Sequence, residues 1–389
     1  MPALEGIRVL ELPGDAVAYA GRLLYDLGAE VIKVEPAGGE PLRRAGTVAS
    51  DKDGSGSTSL AFERYHGGKR SVVIDLAEQR GRVELLNLVE GCDAVLECFP
   101  PGFLAANGLG FPEFVAHQPR LILASVTPFG QYGPRAHSPG TDIVTLASGH
   151  MMHMTGMEDG PPQRLGGEQS LHLPAMYAAT GVVFALLGRE THGAQHLDIS
   201  MQECMPQFTL EAAAPNSWEM LKVLPSRWGR NRNTATPYGM FECLDGWVGL
   251  VALTARQWGA LAAWLDELGV SSLLDPQFAF DAPGFREGGE GITTILSDFF
   301  KLHPKQMLME QGQQRGVPIM SLSTAADLVE SPQLAARGFF QAIDHPSFGP
   351  LRYPSSALRF DGLPVAARTA PRLDEGRQVL LSGRIPEPA

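Results

Sequence analysis

Short apolar runs alternate with helical patterns over the first 130 residues, and this alternation constrains the fold more than any other feature. After the first run, "AYAGRLLYDLGAE" places apolar residues at helical spacing until Gly28. The strand-like runs are, in order, "IRVLEL", "VIKVE", "RSVVIDL", "DAVLECF" and "RLILASVTPFG". Parallel strands need a crossover connection, usually a helix, so the pattern predicts an α/β fold with an open, doubly wound parallel sheet. Ligands bind such a sheet outside the carboxyl ends of its strands.

The sequence changes character near residue 225, which predicts a second domain. Two short strand patterns joined at "LDG" are followed by helical patterns and Pro/Gly-rich loops to about residue 320. We predict a large domain over 1–225, a smaller α+β domain over 226–325, and a segment over 326–389 that returns to pack on the large domain.

The balance of charged residues excludes one class of partner. Lysine and arginine total 31 against 43 aspartates and glutamates, which gives a formal charge of −12. Nonspecific nucleic-acid binding needs a basic surface, so we expect no nucleic-acid partner. An anionic ligand would need a local basic cluster, and the candidates are residues 230–233, Lys69 with Arg70, and Arg43 with Arg44.

The apolar segments and the N-terminus set expectations about location. No apolar run approaches the roughly 20 residues needed to span a bilayer, so we expect no membrane contact. The start "MPALEGIRVLEL" lacks the basic, apolar and small-residue regions of a secretion signal. We therefore expect a cytoplasmic protein.

Sequence motifs for metals and for common cofactors are missing. The four cysteines have no C-x-x-C spacing, which argues against a disulfide framework and a zinc site. His150 and His153 would share one helix face, but no third ligand is near them in the sequence, so we predict no metal site. No G-x-G-x-x-G follows the first strand pattern, which disfavours a dinucleotide dehydrogenase.

Segments spread over nearly the whole chain share their order and spacing with one known family. They are "GIRVLEL", "LYDLGAEVIKVEPAGGEPLR", "GKRSVVIDL", "LECFPPGFLAANGLG", "RLILASVTPFGQYGP", "TGMEDGPPQRLGG", "PYGMFECLDGWVGL", "RGVPIMSLSTAADLVESPQLAARGFF" and "APRLDEGRQVLL". Together they resemble the class III CoA-transferases, a family that also includes alpha-methylacyl-CoA racemases.

The resemblance implies a fold and a reaction. The large domain would be built from both chain ends, and two subunits would be threaded through each other like linked rings. CoA would be exchanged between an acyl thioester and a free carboxylic acid, with acyl-CoA as substrate and no tightly bound cofactor. In these transferases an aspartate attacks the thioester, forms a mixed anhydride and then holds CoA as its own thioester.

The position of that aspartate is occupied by Leu171. The resemblance places the nucleophile nine residues after the second proline of "DGPP", at the head of an apolar helix, and counting from Pro162 reaches Leu171. A leucine side chain cannot form an anhydride or accept a proton. The carboxylates that could replace it are Glu168, in a glycine-rich loop, and Asp142, in a "GTD" turn. Each also suits a structural role, Glu168 as an exposed loop residue and Asp142 as a turn or N-cap residue.

Racemase chemistry is disfavoured more strongly than transfer. The resemblance implies that a racemase would pair a histidine with an aspartate after a Pro-Gly or Ala-Gly turn. In the matching segment "PGTDIV", Thr141 takes the place of the histidine beside Asp142.

The resemblance implies CoA contacts at four positions, Val17, Lys69, Arg70 and Phe99. The two basic residues would meet CoA phosphates, and Phe99 would flank the adenine. An arginine common in the family is replaced by Ala106. Arg230 and Arg232 could bind a substrate carboxylate or a CoA phosphate, and a basic loop that bridges subunits would use the same residues.

Three functions remain open at this point. The first is the non-catalytic subunit of a heteromeric class III CoA-transferase, whose related partner subunit carries the aspartate and moves CoA from a donor such as succinyl-CoA to a small carboxylic acid. The second is a self-sufficient acyl-CoA enzyme, paired with itself, that uses Glu168 or another group. The third is an acyl-CoA-binding or scaffold protein without chemistry.

Overall fold

The computed structural model describes residues 2–50, 57–207, 218–219, 222, 226–227, 229, 236–282, 289–360 and 366–381. These residues belong to two compact units. The first contains Met1–Met151, Arg164–Lys222 and Pro332–Ala389, and the second contains Met152–Gln163 and Val223–Ser331. The bounds expected from sequence at residues 225 and 325 stay a prediction.

The first unit contains a six-stranded sheet in which all paired strands are parallel. Its strands are β1 (Arg8–Glu11), β2 (Glu30–Glu35), β5 (Arg70–Val73), β6 (Ala94–Glu97), β7 (Ile122–Thr127) and β8 (Gln195–Ser200), and a separate hairpin is formed by β3 (Val48–Ser50) and β4 (Ser57–Ser59). The strand order is β5-β2-β1-β6-β7-β8. The predicted α/β class with a large parallel sheet is confirmed. The order reverses between β1 and β6, which makes that gap the topological switch point.

Helices cover both faces of this sheet. They are α1 (Asp15–Asp26), α2 (Leu60–His66), α3 (Gln79–Val89), α4 (Phe103–Ala106), α5 (Phe111–His117), α6 (Asp142–Ser148) and α7 (Gln169–His192). Side chains alternate between the faces, so Val9 of β1 lies in a core with α1 and α7, whereas Leu10 lies in a core with α3 and α5. Residues 201–207 after β8 are helical, and most of the helix expected to reach residue 222 lies outside the described residues.

One described helix, α7, departs from the expectation about apolar segments. With 24 residues and a mean hydropathy of 1.5, α7 is long and apolar enough to cross a membrane. The sequence-based expectation that no apolar run approaches this length is therefore wrong. The core helices of soluble proteins meet the same criterion. Helix α7 packs against α1, β7 and β8, so its apolar composition partly serves the core of the first unit.

The second unit has its own sheet and core. Strands β9 (Tyr238–Cys243) and β10 (Gly246–Val251) form the antiparallel pair predicted around "LDG", and β11 (Ile319–Ser321) pairs with β10. Helices Ala255–Glu267, Gly289–Phe300 and Lys305–Gln314 supply much of the core. The first of these helices begins with a capping box formed by Thr254 and Gln257.

A buried carboxylate, Glu63 of α2, anchors the C-terminal part of the first unit. This part contains the hairpin β12 (Phe340–His345) and β13 (Gly349–Pro354) and the helix Arg377–Leu381. Glu63 Oε2 accepts hydrogen bonds from Tyr353 Oη (2.8 Å) and from the backbone N–H of Ala370 (2.9 Å). The Nε2 of His345 lies 3.4 Å from Glu63 Oε1. Burial and this carboxylate together raise the pKa of Tyr353.

Replacing this carboxylate tests the anchor. Glu63→Ala is expected to lower the free energy of unfolding by about 2–4 kcal/mol, because buried donors on the C-terminal segment lose their acceptor. Chemical denaturation of the full chain measures the change. The control Glu78→Ala removes an exposed carboxylate that makes no capping hydrogen bond and should stay within about 0.5 kcal/mol of wild type. Equal losses in the two variants would contradict the anchor.

Candidate functional site

The carboxyl ends of β1 and β6 meet at the switch point of the sheet. The turn after β1 leads into α1, and Cys98 follows β6 directly. Gly14 in the turn has φ 135°, and a Cβ there would lie 2.2 Å from Cys98 Sγ. Only glycine allows the two segments to approach so closely.

A buried network of charged side chains lies beneath this turn. Lys33 Nζ is 2.6 Å from Glu40 Oε2 and 3.2 Å from Glu11 Oε1, and it donates to the carbonyl oxygen of Leu12 at 3.3 Å. Glu40 Oε1 accepts the backbone N–H of Gly14 at 2.5 Å. Burial opposes the charge of Lys33, but Glu11 and Glu40 outweigh it and raise its pKa. The network therefore fixes the turn through hydrogen bonds to the carbonyl oxygen of Leu12 and the N–H of Gly14.

Lys69 belongs to the same network. Its Nζ lies 2.5 Å from Glu11 Oε2, 2.8 Å from the carbonyl oxygen of Ala18 and 3.1 Å from His66 Nδ1. Burial lowers the pKa of Lys69 to about 8, against the attraction of Glu11. In this arrangement the ammonium group is occupied inside the protein and is turned away from solvent. The CoA-phosphate contact expected from the resemblance stays a prediction that would require a different rotamer.

The other expected CoA contacts lie in different surroundings. Val17 is fully buried in the core between α1 and α7. Arg70 is partly exposed on the edge strand β5 and pairs with Glu30 at 2.8 Å. Phe99 follows β6 and stacks on Phe103, with 4.6 Å between the ring centroids. Arg230 and Arg232 lie outside the described residues.

Leu171 lies in the first turn of α7, and its backbone N–H donates to the carbonyl oxygen of Glu168 at 3.0 Å. The leucine side chain is partly buried and packs against the core that α7 shares with α1. The position implied for the nucleophile therefore carries an apolar side chain in an apolar setting.

Asp142, one fallback carboxylate, is engaged in holding the start of α7. Its Oδ1 accepts from the backbone N–H of Ser170 (3.1 Å) and from Ser170 Oγ (3.0 Å), and its Oδ2 accepts from Arg164 Nε (2.9 Å). It satisfies one of the N–H groups that a helix leaves free at its N-terminus. Asp142 is the first residue of α6, whose N-cap is Thr141, so its carboxylate does not cap its own helix as the sequence suggested but bonds across to the start of α7.

Glu168, the other fallback, is exposed at the N-cap of α7 and makes no side-chain capping hydrogen bond. It is close enough to act electrostatically on Asp15, Tyr65 and His172. Burial and Glu40, followed by Glu168, raise the pKa of Asp15. Glu168 is therefore the more available of the two fallback carboxylates.

His172 and Tyr65 form a pair beside Leu171. Tyr65 Oη and His172 Nε2 are 2.8 Å apart, and the ring of Tyr19 meets the imidazole edge-on at 5.0 Å between centroids. Burial lowers the pKa of His172, although Glu168 opposes this effect. The histidine is thus held neutral and positioned by aromatic packing.

Sequence reasoning missed the charged network and the Tyr65–His172 pair. The first had a visible signal, because Glu11 and Lys33 interrupt strand runs that are otherwise apolar. The second had none, since Tyr65 and His172 are 107 residues apart.

His150 and the three residues after it form a bend and turn, and the described residues contain no group of three or more potential metal ligands.

Comparisons with known proteins extend over nearly the full chain. A sequence model described as CoA-transferase family III matches residues 4–377. The succinyl-CoA:(R)-benzylsuccinate CoA-transferase subunit BbsE of Thauera aromatica is 32% identical over 385 residues, which cover 96% of this chain and 92% of that protein. The succinyl-CoA:mesaconate CoA-transferase of Haloarcula hispanica is 30% identical and covers 98% and 96%. The crystal structure of a CaiB/BaiF family protein from Brucella suis is similar with a TM-score of 0.84 and 28% identity, covering 97% of this chain and 98% of that one.

The buried histidine of the network makes a pH-dependent contribution to stability. Burial, and then Lys69, hold the pKa of His66 well below 6.5. Below about pH 6.5 the unfolded chain binds a proton at this residue that the folded chain does not, so stability falls as the pH falls. His66→Asn removes this group, and its melting temperature should decline less between pH 7 and pH 5 than that of wild type.

Thermal melts across that pH range provide the measurement. His137→Asn, which changes an exposed histidine outside the network, serves as the control for the loss of a histidine. A parallel curve for His66→Asn would show that the network does not suppress protonation of this histidine.

Proposed function

Because the chain belongs to the class III CoA-transferase family, we propose that it is the non-catalytic subunit of a heteromeric CoA-transferase, in which a related subunit supplies the nucleophilic aspartate. One observation carries this proposal: Leu171 lies at the head of α7, where the family resemblance implies the nucleophile, in a chain whose fold matches that of a CaiB/BaiF family protein. One similar protein, from Thauera aromatica, is itself named as a subunit.

The chemistry explains why a partner is needed. Transfer requires a carboxylate oxygen to attack the thioester carbonyl, which releases CoA thiolate and leaves a mixed anhydride. CoA thiolate then attacks the anhydride on the enzyme side, and the freed acid is exchanged for the acceptor. Leu171 has no oxygen that could attack the thioester and no carboxyl group that could carry CoA. Asp142 is already bonded to Ser170 and Arg164.

The exposed side of α7 offers a surface for such a partner. Four large apolar side chains of this helix recur at near-helical spacing and are exposed to solvent. They are Met176 (50% exposed), Tyr177 (45%), Phe184 (68%) and Leu187 (77%). Exposed apolar patches of this kind mark interaction sites. A second subunit of the same family, in the linked-ring pairing that the family resemblance implies, would bury this face.

The relatives suggest the substrates of the complex. Two of them are named for succinyl-CoA as CoA donor, and their acceptors, (R)-benzylsuccinate and mesaconate, are dicarboxylic acids. We therefore propose succinyl-CoA as donor and a small carboxylic acid, of the benzylsuccinate type, as acceptor. CoA enters as a substrate and does not stay as a bound cofactor.

Activity measurements with and without a partner test the proposal. The chain alone should convert succinyl-CoA and benzylsuccinate no faster than buffer, and activity should appear when it is co-expressed with a related chain that has aspartate at the position of Leu171. Separation of the CoA esters by liquid chromatography measures the reaction. The partner expressed alone is the control. Robust transfer by the pure chain would overturn the proposal.

Glu168 supports a second candidate, a self-sufficient enzyme, because it is exposed and three residues from Leu171. Trapping with hydroxylamine during turnover distinguishes the two. Modification located on the partner's aspartate by mass spectrometry supports the heteromeric enzyme, whereas modification of Glu168 supports the self-sufficient one.

A carboxylate introduced at position 171 tests whether the site lacks only its nucleophile. At a succinyl-CoA concentration high enough to offset weak binding of CoA, Leu171→Asp should gain slow CoA transfer or a hydroxylamine-sensitive CoA adduct. The new carboxylate would lie in the first turn of a 24-residue helix, where negative charge is stabilised by about 0.3–1 kcal/mol. Leu171→Asn matches the change in shape without a nucleophile and should form no adduct. If neither variant forms an adduct, the chain has lost more of the site than its nucleophile.

A further inference from the structure

Two phenylalanines follow the carboxyl end of β6, one of the two strands that border the switch point, where an open α/β sheet binds its ligands. Phe99 follows β6, and Phe103 begins α4. Their rings are stacked, with 4.6 Å between centroids and 24° between planes. We propose that Phe103 is a specificity-determining residue. By stacking on the face of the Phe99 ring, it keeps planar bases from stacking there.

The turn between the two residues fixes the stack. The N–H of Phe103 donates to the carbonyl oxygen of Pro100 at 3.0 Å, and Gly102 has φ 84°. Proline at the second position and a glycine with positive φ at the third are the signature of a type II turn. The "PPG" sequence thus reverses the chain and brings Phe103 back over Phe99. The N–H of Ala106 bonds to the carbonyl oxygen of Gly102 at 2.9 Å and continues this geometry into α4.

The stack leaves no place for a planar molecule on Phe99. The ring is partly buried and packs against the core on the α3 side of the sheet, and Phe103 covers it from outside. A base held between the two rings would need them roughly 7 Å apart, which is twice the contact distance of stacked carbon atoms. Phe103 itself is 37% exposed, so part of its side chain is open to solvent.

This inference rests on the proposed function, since a subunit that leaves the chemistry to its partner has no need to hold CoA in its own crevice. Its test is nevertheless separate, because binding of ADP to the isolated chain involves neither transfer nor the partner. ADP is the probe because it presents a purine base with phosphates and has no thioester. A failure of CoA transfer in the complex would leave the binding result unaffected.

Calorimetric titration of the full chain with ADP tests the inference. Phe103→Ala should bind ADP about 5- to 150-fold more tightly than wild type, because one base–aromatic stack contributes about 1–3 kcal/mol. In Phe99→Leu/Phe103→Ala the gain should disappear, since leucine fills the core but offers no aromatic face. Phe111→Ala, which removes a ring stacked on His196, is the matched control and should bind ADP as wild type does.

Each outcome decides the matter. A gain in Phe103→Ala that is lost in the double variant supports the inference. Unchanged or weaker binding by Phe103→Ala overturns it, and weaker binding would show instead that the two rings clamp a base between them. A gain that survives in the double variant also overturns it, because the base would then not stack on Phe99. Circular dichroism of every variant establishes that it is folded.

Discussion

The pairing of charges beneath the first turn is the interaction on which the rest of the site depends. Lys33 and Lys69 are buried with Glu11 and Glu40, so that two ammonium groups face two carboxylates in the interior. Removal of one partner from such a set leaves an uncompensated buried charge, which typically costs about 3–5 kcal/mol. Lys33 and Glu40 also bond to the backbone of the turn after β1, so the paired charges support the shape of the crevice at the switch point.

This dependence separates the framework of the site from its chemistry. The framework consists of strand ends, a glycine turn and buried ion pairs, and each of its contacts is made within the first unit. The family resemblance implies a nucleophile in the first turn of α7, and the residue at that position is Leu171. The network does not include this position. A chain can therefore keep a well-formed crevice and still lack the group that would react in it.

Much of this arrangement was predictable from the sequence, and the limits have physical causes. The parallel sheet followed from the alternation of apolar runs with helical patterns. The assignment of Leu171 to the nucleophile position came from counting along "DGPP" and stays a prediction, although its place at the head of an apolar helix agrees with the sequence pattern. The sequence suggested a turn or N-cap role for Asp142 in its own segment, but its bonds to Ser170 are made to another helix, 28 residues away, which no local pattern could reveal. Lys69 was harder to place, because a Gly-Lys-Arg turn suggests solvent, whereas the pairing with Glu11 depends on strands brought together only by folding. The stack of Phe103 on Phe99 required the turn geometry, although the "PPG" sequence that produces it is visible.

The cap at the start of α7 has a consequence for how such a chain arises. Asp142 reaches across from another helix and holds Ser170, so the helix does not rely on residue 171 for its N-terminal hydrogen bonds. A gene copy that exchanges an aspartate for leucine at this position would lose a reactive group and keep a folded helix. Under the proposed pairing, a single codon change would separate two duplicated subunits, one keeping the reaction and the other contributing its surface to the pair.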